Sequence, residues 1–148
     1  MAPAHMQRRI EAFLDKEFGK GATKEEIQKA EDDLKVSFPE DYRFFLSQFG
    51  WARFAHEEIY GLGADVPLHL NLVRNTLAER FQMRPHVPHT FIPMMNDGAG
   101  NHYCLDSSKK GGPVVFWDHE LGENQQPKIV FQDFSSWLVD LLNQIESH

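Results

Sequence analysis

Cysteine, long apolar runs and basic residues are all scarce in this 148-residue sequence. The single cysteine, Cys104, cannot form an intramolecular disulfide, and no stretch approaches the length of a membrane-spanning helix. The first residues also lack the apolar centre of a secretory signal peptide. These absences predict a cytoplasmic protein that has no contact with a membrane.

Basic residues are outnumbered by acidic ones, with 15 Lys and Arg against 22 Asp and Glu and a formal net charge of -7. Because binding to a phosphate backbone needs clustered cations, we expect no direct contact with nucleic acid. Acidic residues are dense from Asp118 to the C-terminus, where Lys128 is the one Lys or Arg. Such a run is either a solvated face or a surface for a cationic partner, whose approach it would accelerate.

Apolar residues are sufficient for one core, at 41% of the sequence with 12% aromatic, so one globular unit is expected. We assign residues 1–22 to an N-terminal helix and a ragged start before about Met6, and residues 23–148 to the main domain. The N-terminal helix is predicted from helically spaced apolar residues that precede a Gly-Lys-Gly break: Ile10, Phe13, Leu14 and Phe18.

Three further helices are predicted before the final one is reached. Thr23 and Glu26 form a capping box ahead of the second helix, and Pro39 suits the first turn of the third. A middle helix is predicted from the spacing of Leu70, Val73, Leu77 and Phe81. The clearest amphipathic pattern closes the chain after Asp133 or Ser135 as the cap, with apolar residues at Phe134, Trp137, Leu138, Leu141, Leu142 and Ile145.

Between the middle and final helices, four short apolar runs are bounded by Gly, Pro, Asn or Asp: FIPMM, HYCLD, PVVFWD and KIVFQD. Short runs with such boundaries are typical of strands joined by tight connections. Helices, then a run of strands, then a last helix favour an α+β fold over a βαβ alternation. We therefore predict a mainly antiparallel central sheet with N-terminal, middle and C-terminal helices packed against it.

The stretch MMNDGAGNHYCLD, residues 94–106, has the composition of an enzyme loop. Its Gly-Ala-Gly lacks the remaining glycine or lysine of a phosphate loop, and a turn is the favoured interpretation. Asp97, Asn101 and Asp106 could offer oxygens to a divalent cation, although without EF-hand spacing. Cys104 could act as a nucleophile with His102 or His119 as base, but a buried, unreactive cysteine is favoured.

Several pieces together resemble the SMI1/KNR4 family, also called the SUKH superfamily. The resemblance covers Thr23 to Leu142, and its order and spacing carry more weight than any single piece. The pieces are TKEEIQKAEDDLKVSFPEDYRFFLSQFG, NDGAGNHYCLD, GPVVFWDHE and FQDFSSWLVDLL. The resemblance implies an α+β fold and, as in the bacterial members that it most resembles, an immunity protein that binds and neutralises a polymorphic toxin.

On this interpretation the chain is not an enzyme and needs no cofactor or metal. Its partner would be a protein toxin, for example a basic nuclease. Gly98 and Gly100 would build a turn. An intracellular scaffold or regulatory domain, the role of the fungal members, is the alternative. Five carboxylates are the candidate partner-binding residues: Asp97, Asp106, Asp118, Glu120 and Glu123.

Overall fold

The computed structural model describes residues 3–148, and in that range the chain forms five α-helices and seven strands, with a short 3-10 helix at Leu68–Leu70. The helices are α1 Pro3–Ala12, α2 Lys24–Leu34, α3 Glu40–Gln48, α4 Leu72–Phe81 and α5 Phe134–Glu146. The strands are β1 Lys16–Phe18, β2 Ala52–Phe54, β3 Glu57–Ile59, β4 Phe91–Asn96, β5 His102–Asp106, β6 Val114–Trp117 and β7 Ile129–Phe131. The predicted α+β class is confirmed.

The strands form two antiparallel sheets in chain order, β1-β2-β3 and β4-β5-β6-β7. The backbone N–H of Tyr60, just after β3, donates to the carbonyl of Met94 in β4 at 2.8 Å and so joins the two sheets. In the larger sheet every predicted apolar run supplies a strand. Antiparallel neighbours need only short connections, which fits the Gly, Pro and Asn residues between these runs.

Helix starts follow the predicted caps. The Thr23 hydroxyl accepts from the N–H of Glu26 at 3.1 Å, and the Glu26 carboxylate accepts from the N–H of Thr23 at 2.9 Å, which completes the capping box. Helix α3 begins directly after Pro39, and the Asp133 side chain caps α5 by accepting from the N–H of Ser136 at 2.8 Å. Local chemistry was enough to locate these boundaries.

The N-terminal helix is shorter than predicted. It ends at Ala12, Leu14 is 96% exposed, and Phe18 lies in β1 instead of on a fourth helical turn. The backbone of β1 pairs with β2, with Lys16 opposite Phe54 and Phe18 opposite Ala52. Tertiary pairing with a strand distant in sequence therefore overrides the helical spacing.

The buried face of α4 also differs from the prediction. Its fully enclosed residues are Leu72, Thr76 and Arg80, whereas Phe81 is 61% exposed. Arg80 is buried because its guanidinium donates to the carbonyls of Leu34 at 2.7 Å and His89 at 2.6 Å. These acceptors lie on other segments, so the apolar period of α4 could not indicate them.

The main core lies between the helices and one face of the larger sheet, and it includes Met6 and Ile10 of α1. A second, smaller core covers the opposite face of that sheet and consists of Val87, Phe91, Cys104, Val115 and Trp117. Within residues 3–148, no helix combines the length and the apolar character needed to cross a membrane.

Candidate partner-binding surface

Four of the five candidate carboxylates lie at one end of the larger sheet. Asp97 is in the β4–β5 turn, and the other three are in the β6–β7 connection. His102 at the start of β5 is paired with both Asn96 at the end of β4 and Trp117 at the end of β6, so the two connections are neighbours. We call residues 97–101 and 118–125 the acidic end; its carboxylates are Asp97, Asp118, Glu120 and Glu123.

The two connections of the acidic end are joined by Asn101. Its side-chain oxygen accepts from the backbone N–H of His119 at 3.0 Å and lies 2.7 Å from His119 Nδ1. Gly98 and Gly100 in the first connection have φ angles of 92° and 93°, a region that favours glycine. A Cβ on Gly100 would lie 3.3 Å from the ring of His119, so this turn packs closely on its neighbour.

Asp97 stabilises its own turn. Its carboxylate accepts from the backbone N–H groups of Ala99 at 2.8 Å and Asn101 at 3.1 Å, and from the Asn101 side chain at 3.0 Å. Partial burial acts to raise the pKa of Asp97, but these hydrogen bonds to the charged form outweigh it and the pKa is lowered. Asp97 is therefore a fixed negative charge at neutral pH.

The remaining carboxylates of the acidic end differ in their hydrogen bonds and in their exposure to solvent. Asp118 accepts from the N–H of Glu120 at 2.9 Å, and Glu123 accepts from the N–H of His86 at 3.2 Å with Arg84 Nη1 at 3.5 Å. Glu120 has a side chain that is 79% exposed, with His119 Nε2 3.9 Å away. Glu120 is thus the most exposed carboxylate of the acidic end.

Asp106 lies at the opposite end of β5, about 13 Å away along a strand of five residues. It is buried and accepts from the backbone N–H of Ser108 at 3.0 Å and from its hydroxyl at 2.6 Å. Asp106 therefore cannot share one cation with Asp97 and Asn101, which removes the geometry that the metal alternative required. Partner contact at Asp106 stays a prediction, separate from the acidic end.

Cys104 is buried in the second core, as expected of an unreactive cysteine. Burial raises the pKa of the Cys104 thiol well above its ordinary value, and the charge of Glu79 raises it further. A nucleophilic cysteine needs a lowered pKa, because the thiolate is the reactive form. The environment of Cys104 favours packing over catalysis.

A groove opens beside the acidic end, between the larger sheet and α5. Asp97 forms part of its wall together with carboxylates that the sequence did not single out, Glu57 of β3 and Asp140 of α5. Tyr103, Phe131 and Trp137 supply aromatic surface. The sequence contains a weak indication of this groove, because Asp140 and Gln144 are one turn apart on the polar flank of the most apolar helix. No local pattern, however, indicates that α5 lies near β3.

Comparison with known proteins bears on this arrangement. A family model, SUKH_5, described as SMI1-KNR4 cell-wall, matches residues 6–143, nearly the whole chain. The chain belongs to the SMI1-KNR4 family. The match begins at Met6, so it includes most of α1, which the resemblance drawn from the sequence left out. Among curated relatives of this family member is the SPbeta prophage-derived uncharacterized protein YokK of Bacillus subtilis (strain 168), 24% identical over 155 residues, with 80% of this chain and 75% of YokK covered.

Membership in the SMI1-KNR4 family agrees with the fold and with the resemblance. It favours a protein-binding role over a catalytic one. In this SMI1-KNR4 protein the residues that suggested chemistry in the sequence make structural contacts. Asp97 and Asn101 order a turn, Cys104 fills the second core, and His119 joins two connections. What the surface offers is a concentration of carboxylates beside an aromatic groove.

Proposed function

We propose that this chain is an immunity protein that neutralises a cognate toxin by stoichiometric, non-catalytic binding in the cytoplasm. The observation that carries the proposal is the acidic end, where two connections held together by Asn101 and His119 present Asp97, Asp118, Glu120 and Glu123. The relationship to a prophage-derived protein is consistent with this role, although that protein is itself uncharacterized.

The partner that suits such a surface is a basic protein, such as a nuclease with a cationic groove for its substrate. An acidic face can cover that groove, and opposite potentials accelerate association while setting the register of the complex. Because exposed charges contribute little to folding, the acidic end can serve binding with little effect on stability.

The first test is protection of cells. Co-expression of this chain with its cognate toxin should restore growth, and the two proteins should co-purify in one-to-one ratio. Growth arrest that persists although both proteins are folded and co-expressed would contradict the immunity role. A stable complex with a non-toxic cellular protein would instead favour the scaffold or regulatory alternative.

The second test asks whether the acidic end guides association. Asp118→Lys/Glu120→Lys should slow association with the toxin several-fold at low salt and reduce its salt dependence, since long-range attraction is screened by ions. Stopped-flow measurements over a salt series would show this, with thermal melts to verify folding.

The matched control is Asp32→Lys/Asp33→Lys on α2, which changes net charge equally at two exposed carboxylates outside the acidic end. Equal slowing by both double variants would mean that only net charge matters. Association of the wild type that does not respond to salt would reject the electrostatic mechanism.

A further inference from the structure

The groove beside Asp97 combines an aromatic lining with an acidic wall, and its lining residues come from β3, β4, the β4–β5 turn, β5, β7 and α5. Its volume is about 240 Å³. One ordered water needs only roughly 15 Å³, so a long side chain can enter. The residues that decide its chemistry are Glu57, Asp97, Asp140, Tyr103, Phe131 and Trp137.

Tyr103 and Phe131 provide the accessible aromatic surface of the groove. Both are partly buried, whereas Trp137 is 3% exposed and supports Tyr103 from behind at a ring-centroid distance of 5.6 Å. Phe116 braces Tyr103 from β6 at 5.1 Å. Tyr103 is therefore held in place before any partner arrives.

Tyr103 lies among the carboxylates that line the groove. Burial raises the pKa of Tyr103, and the negative charges of Asp97, Glu57 and Asp140 raise it further. Three carboxylates thus act on the same small region of the groove.

Among residues 3–148, the lining of the groove contains no Lys, Arg or His to match these negative charges. Within the same range, Asp140 accepts from the neutral amide of Gln144 at 2.6 Å, and the donors to Asp97 are all neutral. Glu57 lies 3.1 Å from Nε2 of His56, a side chain that is 87% exposed. Each carboxylate has roughly four acceptor positions, so acceptors remain available.

We propose that this groove binds an arginine side chain of the partner protein. The assignment rests on the proposed function, in which the partner is a basic toxin, and adds which side chain it inserts. A guanidinium stacks on aromatic rings and donates to several carboxylates from one plane, whereas the lysine ammonium is compact and strongly hydrated. An apolar side chain would remove water from the carboxylates without replacing its hydrogen bonds.

The first experiment uses a small probe and needs no toxin. The capped tripeptide acetyl-Gly-Arg-Gly-amide is titrated into the full chain while NMR follows the ring signals of Tyr103 and Trp137. We expect saturable shifts with a Kd on the order of millimolar, because a single side chain makes few contacts. The citrulline tripeptide, which has nearly the same shape without the charge, should not bind measurably, and the lysine tripeptide should bind more weakly.

Two matched variants locate the binding. Asp140→Asn keeps the shape of the side chain and should weaken arginine binding several-fold. The control, Asp32→Asn, removes an equal charge from α2, where Asp32 accepts from Gln28 at 3.0 Å; this pair is also four residues apart, but with the order of Gln and Asp reversed relative to Asp140 and Gln144. It should leave binding unchanged. Citrulline binding as tightly as arginine, lysine binding as tightly as arginine, or equal effects of the two variants would each overturn the assignment.

Failure of this assignment can be separated from failure of the proposed function. If the chain neutralises its toxin and Asp140→Asn neutralises it equally well, the arginine assignment is wrong and the immunity role stands. If the arginine tripeptide binds as expected and no toxin is neutralised, the groove is a cation site and the immunity role is wrong.

Discussion

The two faces of the β4–β7 sheet are packed by different chemistry. On the α5 face, Leu105 and Val114 join Phe134, Trp137 and Leu142 in the main core. On the other face, Cys104, Val115 and Trp117 are accompanied by buried polar residues, among them Arg80 and His102. The first face is stabilised mainly by the apolar area it removes from water, and the second also depends on hydrogen bonds with fixed directions.

Polar residues on the second face connect segments that apolar packing alone would not hold in register. Arg80 of α4 donates to the end of α2 and to the 82–90 segment, and Tyr60 Oη lies 3.4 Å from His102 Nε2. Glu79 Oε1 is 3.8 Å from His102 Nδ1, which has no hydrogen-bond partner in the part of the chain that the structure describes. We therefore expect the free energy of unfolding to be sensitive to lost side-chain volume on the α5 face. On the second face we expect it to be sensitive to pH and to changes in side-chain polarity.

The largest effect is expected on the α5 face, from Trp137→Ala. Removing a large aromatic side chain that is 3% exposed should lower the free energy of unfolding by roughly 3–5 kcal/mol. Urea unfolding followed by circular dichroism measures it. Leu121→Ala, at an exposed residue, serves as the control and should change stability by less than about 0.5 kcal/mol. A loss below about 1 kcal/mol for Trp137→Ala would show that α5 is wrongly oriented.

The second face should respond to pH through His102. Burial lowers the pKa of His102 from 6.5 to about 4, against a smaller opposing effect of Asp97. Between these two values the unfolded chain binds a proton that the folded chain does not, so stability decreases as the pH falls from about 6.5 towards 4. Between pH 7 and 4.5 the wild type should lose roughly 2–3 kcal/mol more than His102→Gln, measured by urea unfolding at each pH.

Glu79, which lies next to His102, also affects how stability depends on pH. Burial raises the pKa of Glu79, so the folded chain holds that proton more readily and partly offsets the loss in the same pH range. Because Glu79 is present in both proteins, the effect of its own burial largely cancels in the difference between wild type and His102→Gln, which then reports His102 together with its contact to Glu79. His69→Gln removes an exposed histidine as a control. Equal losses in wild type and His102→Gln would contradict a buried neutral His102.

The smallest effect is expected from Cys104→Ser. A hydroxyl in place of the buried thiol should cost roughly 1–2 kcal/mol, because the polar group loses water and the carbonyl of His102, 4.0 Å from the present Sγ, is too distant for a good hydrogen bond. Toxin neutralisation should be unchanged, since the thiol is interpreted as packing and lies away from the acidic end. Cys104→Ala separates lost volume from added polarity in the same unfolding assay. If a folded Cys104→Ser variant no longer neutralised the toxin, the thiol of Cys104 would have a functional role and the packing interpretation would be wrong.

Prediction from sequence succeeded where the cause of structure is local. Thr23 with Glu26, and Asp133, begin helices through contacts within three residues, and α3 begins directly after Pro39. The four apolar runs became the four strands of the larger sheet. The acidic end could be anticipated only as a set of carboxylates in connections. Its pairing through Asn101 and His119 joins residues that are 18 positions apart, and no local pattern indicates such a contact.

By itself the sequence determined the α+β class, most helix starts, the glycine-containing turn after Asp97 and the excess of negative charge, because caps, turns, periodicity and composition act over a few residues. Tertiary structure decided that Phe18 joins a strand, that Arg80 is buried, and that Asp106 is separated from Asp97. It also brought Glu57, Tyr103 and Asp140 into one groove. These outcomes depend on backbone acceptors and side chains contributed by distant segments, which meet only when the whole core is formed.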